Sequence, residues 1–190
     1  KVLISDVIGI QVDRMLAGDI ALMDSGTAWI TIIGYTMQLY FDFSGYSDMA
    51  IGLGKIMGFH FPENFDNPYN STSITEFWRR WHMTLGAFMR NYLYIPLGGN
   101  RCSKPRMYFN LWMVFLLSGL WHGAGWNFLI WGAYHGFWLV AERMGLKKVY
   151  DKIGKVPSVI ITFILAVIGW VFFRLETFHD ATTLISRMFA

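Results

Sequence analysis

Residues 28–41, AWITIIGYTMQLYF, form an uncharged apolar run. A spanning helix needs about 20 such residues, so this one is too short to cross a bilayer alone. It passes into DFSGYSDMAIGLGKIMGF, where Asp42, Asp48 and several Gly and Ser residues interrupt the hydrophobicity. Charged groups at membrane depth face protein or water, and the expectation is an irregular or packed-in helix over this stretch. FPENFDNPYNSTS at 61–73 is rich in Pro, Asn and Asp and reads as a loop. Ser73-Ile-Thr-Glu76 then has the pattern of a capping box that opens a helix. From there Ile74, Phe77, Trp78, Trp81, Leu85, Phe88, Met89 and Tyr92 recur at three- and four-residue spacing, with Glu76, Arg79, Arg80 and Arg90 opposite. This predicts one amphipathic helix over 74–93. Such a helix lies along the membrane interface or dips inward with its polar face covered. YIPLGGN at 94–100 ends it.

Two apolar segments follow, roughly 107–121 and 126–143, and SGLWHGAGW at 118–126 joins them. The last clear span is VPSVIITFILAVIGWVFF at 156–173. No internal repeat is visible. Together the segments predict an all-α, multi-pass helical membrane protein with short, broken and re-entrant helices.

The joint carries the most informative residue, His122. A helix over 107–121 rises ~22 Å at 1.5 Å per residue, against a hydrocarbon core of about 30 Å. The predicted geometry is a hairpin whose WHGAG tip lies within the membrane thickness, buried in protein or lining a water-filled cavity. The glycines allow the bend and a close approach of ligand or backbone. Two readings of His122 stand on these residues: a buried histidine bonded to a neighbouring helix, or a reacting group. An ionisable group at that depth is a functional hypothesis by default, and a neutral imidazole suits general-base work near pH 7. His135 sits in Gly132-Ala-Tyr-His-Gly136, a GxxxG pattern that packs helices closely, and reads as a packing histidine. His60 and His179 read as incidental.

Composition strengthens the membrane reading. Charged residues are 15% and apolar ones 54% of the chain, whereas a soluble domain carries about 25% charged residues. The net charge of +3 is too small to suggest nucleic acid as a partner. Basic residues cluster instead, Arg101, Lys104 and Arg106 before one apolar run and Arg143, Lys147, Lys148, Lys152 and Lys155 after the next. The positive-inside rule puts both clusters on the cytoplasmic side. The lone Cys102 cannot form an internal disulfide. No HExxH or HxxxH spacing supports a metal site, GLGK at 52–55 lacks the spacing of a phosphate-binding loop, and no GxSxG elbow occurs. The chain starts at Lys1 and stops at SRMFA, and the reading is an internal piece of a longer protein.

YFDFSGYSDMAIGLGKIMGF, PENFDNPY, SITEFWRRWHMTLGAFMRNYLYIPLGGNR, NLWMVFLLSGLWHGAGWNFLIWGAYHG and the closing span resemble membrane-bound O-acyltransferases over about residues 28–175. The resemblance is to the bacterial alginate O-acetyltransferase subfamily, with teichoic-acid D-alanyl transfer proteins as cousins. It implies that residues 1–190 are a partial catalytic core, without the family's remaining N- and C-terminal helices. It also implies that His122 of the WHG motif is catalytic and that His82 of RRWHMTL is a second functional position. The implied reaction transfers an acyl group, foremost acetyl, to hydroxyls of an exported cell-envelope polysaccharide such as alginate. The implied site is the bacterial inner (cytoplasmic) membrane, with no bound cofactor. An acyl donor such as acetyl-CoA or an acylated carrier serves as co-substrate. Implied partners are membrane lipid, the polysaccharide acceptor or a periplasmic acyl-relay protein, and a cytoplasmic donor or carrier protein. The arginine face at Arg79 and Arg80 is a candidate docking surface for that donor, and anionic lipid headgroups are the competing reading. Backbone amides at Gly123 and Gly125 are candidate oxyanion donors. Teichoic acid or peptidoglycan as acceptor, a transporter, and a non-enzymatic export-complex subunit remain the alternatives.

Overall fold

The computed structural model describes residues 1–190, which form helices joined by turns and no strands. The chain divides into two compact units, Lys1–Glu63 with Trp170–Ala190, and Asn64–Gly169. One helix is long and apolar enough to cross a membrane, α8 (Lys155–Arg174), with a mean hydropathy of 2.5, matching the span expected at 156–173.

The first unit is built on α1 (Val7–Leu16), α2 (Ser25–Ile56) and α9 (Phe178–Met188). The stretch after residue 41, expected as an irregular or packed-in helix, is not irregular: it belongs to one continuous helix, α2, of 32 residues, and buries Ser47, Ile51 and Gly54. Its length has identifiable causes. Asp24 caps the first turn, accepting from Thr27 N at 2.9 Å and from Thr27 Oγ1 at 2.6 Å. These bonds hold the Asp24 carboxyl below its ordinary range. Asp42, within the helix, is met by Lys1 Nζ at 3.1 Å. Its glycines serve packing: a Cβ at Gly34 would press on Val12, and one at Gly54 would strike the Phe61 ring. Trp29 Nε1 and Ser25 Oγ both donate to Met188 O, at 2.7 and 2.8 Å, which pins the end of α9 to the start of α2.

The second unit contains α3 (Ile74–Arg80), α4 (Met83–Met89), α5 (Lys104–His122), α6 (Trp126–Ala141) and α7 (Lys147–Ile153), with residues 155–169 of α8. The amphipathic helix expected over 74–93 is broken. His82 stands between α3 and α4 in the left-handed region, φ 47° and ψ 54°, and α4 ends in a single π-helical turn at Arg90–Tyr94. The predicted stripe splits with it. Ile74, Phe77 and Trp81 are buried, whereas Phe88 and Tyr92 are exposed. Periodicity counts side chains and carries no signal for one residue of opposite handedness, which is how the break escaped it.

Ser73 is the N-cap of α3, as the capping-box pattern predicts, and its Oγ accepts from Glu76 N at 3.1 Å. The reciprocal half of the box differs: the Glu76 carboxylate takes Thr72 N and Thr72 Oγ1, at 2.8 and 2.7 Å. Burial opposes charge on Glu76, yet these bonds and Arg80 outweigh it and keep the carboxyl below its usual range.

α5 and α6 form the predicted hairpin. Gly119 and Gly132 are buried where the two helices meet. A Cβ on Gly119 would strike the Phe128 carbonyl, and one on Gly132 the Phe115 carbonyl. At Gly136, the second glycine of the GxxxG pattern, a Cβ would lie 3.5 Å from Trp112 Cα, an ordinary contact, so the close approach is made at Gly119 and Gly132. The helices therefore touch along their backbones. α5 starts earlier than expected, at Lys104, with Pro105 in its first turn. Its 19 residues rise ~28 Å.

Candidate active site

His122 is the last residue of α5, and Gly123, Ala124 and Gly125 turn the chain into α6. The Phe128 ring lies over Gly123, where any Cβ would collide with it. The imidazole is half-buried among aromatic rings. The Trp121 ring is 5.0 Å away and Trp131 is 5.2 Å away at 85°, with Phe128 stacked at 6.4 Å. Trp131 is itself buried at 1% exposure, whereas Trp121 is 61% exposed. The His122 ring thus lies between the buried Trp131 and the exposed Trp121.

His82 comes to the same place from a different stretch. Its ring lies 6.4 Å from Trp121, the same ring that is 5.0 Å from His122. The fold therefore brings together the two histidines singled out in the sequence, 40 positions apart in the numbering. His82 sits between helices of seven residues each, too short to span anything. Burial first, then the neighbouring His122, pulls its pKa down to about 4, so the ring is neutral at physiological pH.

Asn64 holds His82 in place. Its Oδ1 accepts from Thr84 N at 3.2 Å and from Thr84 Oγ1 at 3.0 Å, and lies 3.1 Å from His82 Nδ1. Its main-chain carbonyl accepts from Met83 N at 2.9 Å. Two backbone bonds to one residue thus clamp the chain immediately after His82. A left-handed conformation costs a non-glycine residue about 1–2 kcal/mol, and such strain persists only where the surroundings over-determine it. Asn64 is the determinant here, and sequence reasoning passed it over as one more loop former in PENFDN.

His135 stays out of this group. It is fully buried in α6, and its Nδ1 accepts from Trp78 Nε1 at 3.3 Å. Gly169 of α8 is the only residue type that fits against it, since a Cβ there would lie 2.6 Å from Nε2. This is the packing histidine the GxxxG context suggested. Trp131 separates it from His122, touching each ring edge-on at 5.2 Å.

Glu142 is the other residue that sequence reasoning missed. It is 5% exposed and accepts from Ile74 N at 2.6 Å, Thr75 N at 2.9 Å and Thr75 Oγ1 at 2.6 Å. A charged residue in a basic stretch gives no sign of being buried. Its carboxylate meets the orphan amides at the start of α3 and so fixes the helix that leads to His82.

Two expectations change. The Gly123 amide, expected as an oxyanion donor together with that of Gly125, donates to Leu120 O at 3.3 Å and closes the last turn of α5. The arginine pair is also unequal. Arg80 is held by Glu76 at 2.8 Å and Asp66 at 3.8 Å, which leaves Arg79 as the exposed member.

"Probable alginate O-acetylase AlgI" of Pseudomonas putida is 51% identical over 191 residues, covering 100% of this chain and 39% of that protein. "Peptidoglycan O-acetyltransferase" of Helicobacter pylori is 47% identical over 164 residues, 85% of this chain and 31% of that protein. "Teichoic acid D-alanyltransferase" of Bacillus subtilis is 34% identical over 161 residues, 77% of this chain and 40% of that protein. The chain thus spans well under half the length of these relatives. The model of the MBOAT, membrane-bound O-acyltransferase family, matches residues 7–176, which include α1 to α8 with both histidines, and the chain belongs to that family.

Proposed function

We propose that this chain carries the reaction centre of an enzyme that transfers an acetyl group to hydroxyls of an exported cell-envelope polysaccharide, alginate being the first candidate. The observation that carries this reading is the meeting of His82 and His122 at Trp121, one held by Asn64 and the other at the tip of the α5–α6 hairpin, both half-buried. The acetylases of alginate and peptidoglycan among the relatives support acetyl as the group transferred.

In this reading His122 is the general base. It takes the proton of the acceptor hydroxyl as that oxygen attacks the carbonyl carbon of a thioester, acetyl-CoA or an acylated carrier. The carbon–sulfur bond breaks, and the proton returns from His122 to the leaving thiolate. His82 orients the reacting groups. The enzyme sits in the bacterial inner membrane as a multi-pass protein. The cytoplasmic basic clusters face the donor side, and a polysaccharide or periplasmic relay protein receives the acyl group.

The test is mass analysis of surface polysaccharide from cells carrying the full-length protein with His122→Ala at matched expression. Loss of the acetyl mass with protein still in the membrane is expected, since a general base contributes about 10²–10⁴-fold. Unchanged acetylation refutes the assignment. A D-alanyl mass increment on an anionic polymer in wild-type cells would move the reading to the activity named for the Bacillus subtilis relative.

A further inference from the structure

We propose that Asn64 is a positioning residue that fixes His82 as the Nδ1–H tautomer, so that His82 acts through the Nε2 lone pair on the acceptor hydroxyl and not on the acyl carbonyl.

The tautomer follows from elementary bonding. A backbone N–H can only donate, and Thr84 N points at the Asn64 side chain at 3.2 Å. The atom that receives it is therefore the amide oxygen and not the nitrogen, which settles the orientation of the Asn64 amide. The Thr84 hydroxyl donates to the same oxygen at 3.0 Å. An oxygen committed to accepting can meet His82 Nδ1, 3.1 Å away, only if that nitrogen carries a proton. A neutral imidazole has one N–H, and with Nδ1 protonated the lone pair is on Nε2.

The chemical consequence is a division of labour. Polarising an acyl carbonyl calls for a donor, and a neutral His82 in this tautomer offers none at Nε2. It offers an acceptor, which a sugar hydroxyl satisfies with its O–H. His82 then orients the nucleophile while His122 takes up its proton. His135 is the internal contrast. Trp78 Nε1 donates to its Nδ1, which places that proton on Nε2, so neighbouring histidines of one unit are held in opposite tautomers. The clamp is also local, because Asn64 reaches residues 82, 83 and 84 together and sets the ring and the backbone beneath it in one step.

The second half of this proposal rests on the function proposed above, and the experiment separates the two. Full-length protein labelled with ¹⁵N-histidine is purified in detergent, and the His82 signals are assigned by their loss in His82→Asn. Wild type is expected to show a protonated Nδ1 and an unprotonated Nε2 at His82. Asn64→Ala is expected to shift that ring toward a tautomer mixture and Asn64→Asp to restore Nδ1–H. Acetyl transfer should fall about 10–100-fold in kcat in Asn64→Ala, as for other groups that orient a functional histidine, with KM for the thioester donor unchanged and Asn64→Asp rescuing the rate. A His82 with its proton on Nε2 in wild type overturns the proposal. A tautomer ratio unaltered by Asn64→Ala overturns Asn64 as its cause. Full activity in His82→Asn removes His82 from the reaction while leaving the tautomer assignment standing.

Discussion

The Glu142 carboxylate receives the Ile74 amide at 2.6 Å, tying the residue that follows α6 to the first residue of α3. The same carboxylate binds Thr75 through amide and hydroxyl. Glu142→Ala leaves those buried donors unmet and is expected to cost on the order of 2–3 kcal/mol. Glu142→Gln, which keeps an acceptor oxygen, should cost less. Thermal unfolding of the detergent-purified full-length protein checks both, and an unfolding midpoint unchanged in Glu142→Ala would show that the contact is not stabilising.

His82 requires care because substituting it changes backbone energy as well as chemistry. With φ at 47°, glycine relieves strain and a β-branched residue adds to it. His82→Gly is therefore expected to accumulate at least as well as wild type yet lose most acyl transfer, while His82→Val accumulates poorly. Equal activity in His82→Gly and wild type would make the residue structural.

Acid pH provides an independent view of the same ring. The folded value of about 4 lies below the ordinary 6.5, so between these values the unfolded chain binds a proton that the folded protein refuses. Stability is therefore expected to fall as pH drops from 6.5 toward 4. Replacing His82 by Gly should flatten part of this slope in denaturant titrations run at several pH values, and an unaltered slope would contradict the burial of the ring.

Glycines in this chain divide by what surrounds them. Gly132 has the Phe115 carbonyl where a side chain would begin, whereas Gly52 in α2 has open space. Gly132→Leu is expected to pry the hairpin apart and abolish both folded yield and activity. Gly52→Ala should stabilise the helix by about 0.5–1 kcal/mol with activity unchanged. Yield on expression and detergent unfolding distinguish the two.

Much of the architecture is visible in the sequence because apolar runs, caps and glycine pairs act locally. The α8 span, the Ser73 cap, the α5–α6 hairpin and the buried His135 all follow from neighbouring residues. What local pattern does not reveal is compensation at a distance. Asp42 interrupts the apolar run, and its partner Lys1 lies 41 positions away; the stripe through residues 74–93 looked unbroken because side-chain spacing does not show that the backbone reverses hand at His82. Asn64 and Glu142 are invisible for the same reason. Their partners lie 18 and 68 positions away, and nothing in the short context of either residue names them.

The carbonyl contacts at Gly119 and Gly132 have a mechanical consequence. Two helices that meet main chain to main chain have no side-chain cushion to compress, so the hairpin is a stiff post with His122 fixed to its end. Accommodating a bulkier acyl group then cannot come from bending the post. The slack has to be found on the opposite bank, in the short α3–α4 elbow that Asn64 fastens, and a change in the size of the transferred group is best sought there.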